Sequence, residues 1–218
     1  MFRQILYTQW KWSRLVLLLL VLAAFATPVM SVRSLGDPGI QGWDVRTALL
    51  DVEGWGFIYP FLAVGVALLL SLTTWGPDHA GKHVYALSLP VPRWHYALLR
   101  FSAGLVLMSA VVFAVWLGAL VATATVALPP GLHAYPHALA LRFALAAVVA
   151  YAVFFAISAG TNRIAGYVLG ALGGLILLQV VAAIAGIDTS LLPTVIGALF
   201  VWPGAFEIFT GRWMLIDV

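Results

Sequence analysis

The 218-residue sequence predicts an all-α integral membrane protein with about six transmembrane helices, an amphipathic interfacial helix at the N-terminus and a short polar helix between the second and third spans. Composition, run length and the placement of basic residues carry that prediction. Hydrophobic residues make up 63% of the chain and charged residues 9%, whereas soluble domains carry about a quarter charged residues. A hydrocarbon core about 30 Å thick needs about 20 mostly apolar helical residues to cross it. Runs of that kind occur near 15–32, 54–75, 101–128, 138–160, 164–187 and 191–209. Seven of the eleven Lys and Arg residues then fall on one side: Arg3, Lys11, Arg14, Lys82, Arg93, Arg100 and Arg163. Basic residues in short loops stay in the cytoplasm, so the N-terminus is expected there. The opposite loop from Arg33 to Glu53 has two basic and four acidic residues. The net charge of +3 is scattered between apolar runs and forms no basic stripe, which argues against a nucleic-acid partner. Without cysteine there is no disulfide, thiol nucleophile or thiolate metal site.

Residues 1–14, MFRQILYTQWKWSR, are too polar to span. On a helical wheel Phe2, Ile5, Leu6 and Trp10 share a face opposite Arg3, Gln4, Lys11 and Arg14, the pattern of a helix lying in the cytoplasmic interface. The other reading is a signal peptide, since Ala24-Phe25-Ala26 imitates a cleavage site. The several spans that follow and the long aromatic start favour the interfacial helix. Between the second and third spans, Gly76-Pro77 is expected to break the preceding helix. Asp78 then caps a short helix through His79, Lys82 and His83 toward Leu87, which Pro90 and Pro92 end. Trp75 and the Trp94–Tyr96 aromatics are expected to anchor it at the interface, with Arg93 toward headgroups or a partner. In the fifth span Gly166, Gly170 and Gly174 make a small-residue groove for a neighbouring helix. Packing within the chain is preferred to a dimer seam. Gln179, on the same span, is expected to bond to an adjacent helix. The run 191–209 contains Pro193, Pro203 and Glu207. It is either a sixth span, which returns the C-terminus to the cytoplasm and is slightly preferred, or a broken, partly extracellular element. Arg142 reads as an arginine extending to the outer surface.

The stretch GPDHAGKH at 76–83 is one residue from the phosphate-binding motif G-x-x-x-x-G-K-[ST]. His83 stands where a Ser or Thr would hold magnesium, a hard cation that prefers oxygen. The preceding run is a membrane helix and not a short strand. The chain is therefore expected to hydrolyse no ATP itself.

Asp78, Gly81, Leu87-Ser88-Leu89-Pro90-Val91-Pro92-Arg93, Tyr96 and Arg100 together resemble the cytoplasmic loop of type-two ABC-transporter permeases. An N-terminal elbow helix, a first extracellular loop and about six spans also match that family. The resemblance implies a coupling helix seated in a separate ABC ATPase subunit, with Asp78, His79, Gly81, Lys82, His83, Leu87, Pro90 and Arg93 as the candidate contact residues. It implies a second permease chain, the same or related, in a bacterial cytoplasmic membrane. This chain would bind no cofactor, and ATP and magnesium would belong to the partner.

Two other classes compete. His79 and His83 share a helix face at i, i+4, and with Asp78 or His95 suggest an intramembrane metalloenzyme. The spacing lacks the internal Glu of zinc proteases, and docking polarity explains it better. His133 and His137 repeat the spacing, but Pro136 between them favours a loop. Ser158 has no His in a neighbouring apolar span to activate it. A non-transporting scaffold or immunity subunit would share the permease architecture.

Overall fold

A computed structural model describes residues 1–33, 45–80, 92–126, 128, 131–160, 162–184 and 191–217. Residues 1–27 contain neither Gly nor Pro, and the first helix, α1, runs unbroken over Phe2–Ser31. At 1.5 Å per residue it is about 45 Å long. The expected boundary between an interfacial helix at 1–14 and a span at 15–32 is absent. The reason is a buried stripe, Gln9, Ser13, Leu17, Leu20 and Ala24, that passes straight through it. Short polar side chains continue the seam that apolar ones form farther along.

The chain continues through α2 (Val45–Gly56), α3 (Ile58–Ala80) and α4 (Arg93–Thr125). It then forms α5 (Pro136–Ala159), α6 (Asn162–Ile184), α7 (Leu191–Phe200) and a 3-10 turn at Glu207–Phe209. Pro136 occupies the first turn of α5, where a missing N–H leaves no intrahelical bond unmade. His137 is therefore helical, and the loop expected around it stops at Tyr135. α1 packs chiefly on α4, and α3 on α5, so these four helices form the central bundle. Close approach depends on glycine at two points. A Cβ at Gly118 of α4 would overlap the Phe25 carbonyl of α1, and one at Gly104 would overlap the Tyr151 hydroxyl of α5.

Contacts at the helix ends set the directions. Gln9 meets Arg100 at one end of the bundle, and Ser31 lies 3.3 Å from Tyr59 at the other. The second, distal end also holds the end of the chain. There β1 (His133–Ala134) pairs antiparallel with β2 (Ile216–Asp217), and Trp213 stacks on Tyr59 with centroids 6.4 Å apart. Trp213, Leu215 and Ile216 are buried.

Among the described residues, four helical stretches are long and apolar enough to cross a membrane: Phe2–Ser31, Val52–Gly76, Arg93–Thr125 and Pro136–Ala159. A shorter apolar stretch, Gly166–Ala182, lies in α6. The run 191–209 is not a continuous sixth span. Its helix has 10 residues, about 15 Å, and the chain then turns so that the Gly204 N–H bonds to the Val201 carbonyl. The C-terminal segment accordingly lies at the end of the bundle away from the N-terminus, on the side opposite to the one that a sixth span would require.

Candidate functional site

The connection that the sequence singles out leaves α3 and enters α4, and its two ends are tied together by a buried ion pair. α3 does not break at Gly76-Pro77. It continues to Ala80, so Asp78 sits inside its last turns and does not cap a new helix. The carboxylate has a stronger partner than backbone N–H groups. Arg100 Nη2 donates to Asp78 Oδ1 at 2.9 Å, with side chains 7% and 4% exposed. Tyr96, one turn before Arg100 on α4, donates its hydroxyl to Asp78 Oδ2 at 3.1 Å. That hydroxyl accepts from Arg100 Nε at 2.8 Å, and Arg100 Nη1 donates to the Thr74 carbonyl. A planar guanidinium makes these bonds simultaneously, which an ammonium cannot do.

The surroundings complete the clamp. The guanidinium carbon lies 5.3 Å from the Trp75 ring centroid and 5.0 Å from that of Tyr96, within cation–π range. Gln9 of α1 donates to the Arg100 carbonyl at 3.2 Å. From α5, Phe155 packs on Trp75 and Tyr151 on Phe101, each at 5.2 Å. All four bundle helices thus converge on one buried charge pair. Removing one partner of such a pair is far more damaging than its net contribution suggests, because the other is left uncompensated.

Of the sequence-predicted contact residues, Asp78 is buried in this cluster, and Arg93 is exposed at the start of α4. His79 belongs to the end of α3, but its side chain is outside the described residues. Gly81, Lys82, His83, Leu87 and Pro90 lie wholly outside them. Trp75 and Tyr96 are buried and do not anchor the connection at the surface. Trp94 is 66% exposed and stacks on His95 at 5.4 Å. Both Asp78 oxygens are engaged, and among the described residues no three His, Asp or Glu side chains group as a metal site would require.

The glycine stripe lies elsewhere than expected. Gly166, Gly170 and Gly174 are exposed, and a Cβ at any of them would meet nothing within 4 Å. Among the described residues, packing inside the chain does not explain them, because α6 rests mainly on α7 and only slightly on α5. Gln179 does bond to a neighbouring helix, accepting from the Leu192 N–H at 3.2 Å. Arg142 does not simply extend outward. It donates to the carbonyls of Ile208, Thr210 and Arg212 and lies 4.5 Å from the Trp213 ring centroid, so it holds the C-terminal segment on the bundle.

These features define the class broadly, as an all-α protein with apolar helices long enough for a membrane. No protein-family model matches the chain, and no curated protein or solved structure is detectably similar to it.

Proposed function

We propose that the chain is the membrane-spanning permease subunit of an ATP-binding-cassette transporter, coupled through residues 78–93 to a separate ATPase subunit. The observation that carries this reading is the Asp78–Arg100–Tyr96 clamp, at 2.9 Å and 3.1 Å around one carboxylate. A polar connection transmits force to spanning helices only if both of its ends are fixed to them. Here the exit from α3 and the start of α4 are locked to each other and, through Gln9, to α1. The three residues that form the lock belong to the motif on which the permease resemblance rests. The concentration of Lys and Arg favours a cytoplasmic position for this end of the bundle, where an ATPase would meet it.

In this reading the ATPase grips the connection and the clamp passes its displacement into α3 and α4, while ATP and magnesium stay in the partner. A second permease chain would complete the pathway. The test is copurification with the ATPase encoded beside this protein. Wild type retains it, and Gly81→Trp loses it or uncouples ligand-stimulated hydrolysis while still inserting in the membrane. An ATPase retained equally and coupled normally in Gly81→Trp contradicts the assignment.

A further inference from the structure

A groove of about 430 Å³ runs along the outside of α1 where it meets α4, lined among others by Arg3, Tyr7, Trp10, Leu17, Val106 and Ala110. Its chemistry changes in one direction. From Arg3 to Leu17 is about 21 Å along the helix, passing from a guanidinium through a phenol and an indole to aliphatic side chains alone. Tyr and Trp favour the headgroup level of a bilayer, and aliphatic side chains favour its interior. α1 is also longer than a hydrocarbon core is thick, at about 45 Å against about 30 Å. With Ser31 near the far surface, the first turns of α1 stand among headgroups.

We infer that this groove holds one anionic phospholipid, its phosphate on Arg3, its glycerol region beside Tyr7 and Trp10, and an acyl chain against Leu17, Val106 and Ala110. Charge favours a lipid over a second copy of the chain. Among the described residues, Arg3 is the one charged residue lining the groove, and α1 contains no Asp or Glu to neutralise it. A second α1 laid in the groove would bring another uncompensated arginine. A phosphodiester supplies the missing anion, and its acyl chain covers Val106, which is 49% exposed.

The experiment is native mass spectrometry of the detergent-purified chain incubated separately with phosphatidylglycerol and phosphatidylcholine. Wild type should retain phosphatidylglycerol about fivefold more strongly, the effect of one favourable charge contact near a membrane surface. Arg3→Gln should remove that preference and leave phosphatidylcholine binding unchanged. Ala110→Trp, at an exposed position, should fill the groove and abolish retention of both. Lys11→Gln, also on α1 but outside the groove, should keep the preference. Equal retention of the two lipids by wild type overturns the inference. So does a preference that survives Arg3→Gln, or one lost equally in Lys11→Gln. A dimer abolished by Ala110→Trp without any change in lipid retention would assign the groove to a second copy instead.

Discussion

Arg100 ties α4 to α3 and to α1. It bonds to Asp78, Tyr96 and Thr74, its carbonyl accepts from Gln9, and its charge faces the Trp75 and Tyr96 rings. Buried among these groups, Arg100→Gln should destabilise the fold by about 3–5 kcal/mol, because Asp78 loses its counter-charge. Arg100→Lys should fall between the two, since one ammonium cannot replace the fork. Replacing both partners, as in Asp78→Leu with Arg100→Met, should recover much of the loss. Thermal unfolding of the four proteins in one detergent checks the order. If the double variant is less stable than Arg100→Gln, the uncompensated charge is not the cause. The sequence showed Asp78, Tyr96 and Arg100 as members of one motif, but it gave them surface roles. Separations of 18 and 22 residues along the chain do not reveal that the groups meet; the return of α4 alongside α3 does. Gln9 was hidden for a related reason. On a wheel weighted toward large apolar residues the buried face of α1 appears polar, because Gln9 and Ser13 face the bundle there.

Helix contacts obey small-residue packing, but at positions a search for evenly spaced glycines does not select. Gly118 admits the Phe25 backbone and Gly104 admits the Tyr151 ring, each alone on α4 among alanines and other buried residues. The regular set Gly166, Gly170 and Gly174 borders open space. Periodicity shows where two helices can approach, whereas topology decides which do. Gly118→Val should therefore cost about 1–3 kcal/mol through overpacking. Gly170→Leu should leave the stability of the isolated chain within about 0.5 kcal/mol, as at a surface position. Comparable losses in both, measured by thermal unfolding of monomeric protein, would contradict this division. Helix existence and order were legible from apolar run length for α1 and for α3 to α6, but α2 lies mostly within the stretch from Arg33 to Glu53 that the sequence reads as a loop. The ends were not, because buried polar contacts extend α1 and α3 beyond the limits that hydropathy sets. Asp78 remains helical since its charge is satisfied across the bundle, and α1 needs no bend since Gln9 and Ser13 are covered by neighbours.

For the whole molecule, the two ends of the bundle are built differently. One end holds the buried Asp78–Arg100 pair between the end of α3 and the first turns of α4. The other is closed by the C-terminal segment, held by Arg142 and by the Tyr135 N–H bond to the Leu215 carbonyl at 2.9 Å. That closure was illegible in the sequence because a hydropathy window reads Leu191–Phe209 as one apolar run, although its helix ends at Phe200. The arrangement predicts sidedness. Since the chain has no cysteine, Lys82→Cys and His133→Cys can each be labelled in oriented membranes. The first should react from the cytoplasmic face and the second from the opposite face, and labelling from the same face would contradict the direction assigned to α4. The permease assignment itself is tested most directly by photo-crosslinkers placed singly at Lys82 and His133 in membranes containing the ATPase encoded beside this protein. Position 82 should crosslink to the ATPase, and position 133 should not. A crosslink from position 133 alone, or none from position 82 while the two proteins copurify, would contradict the assignment.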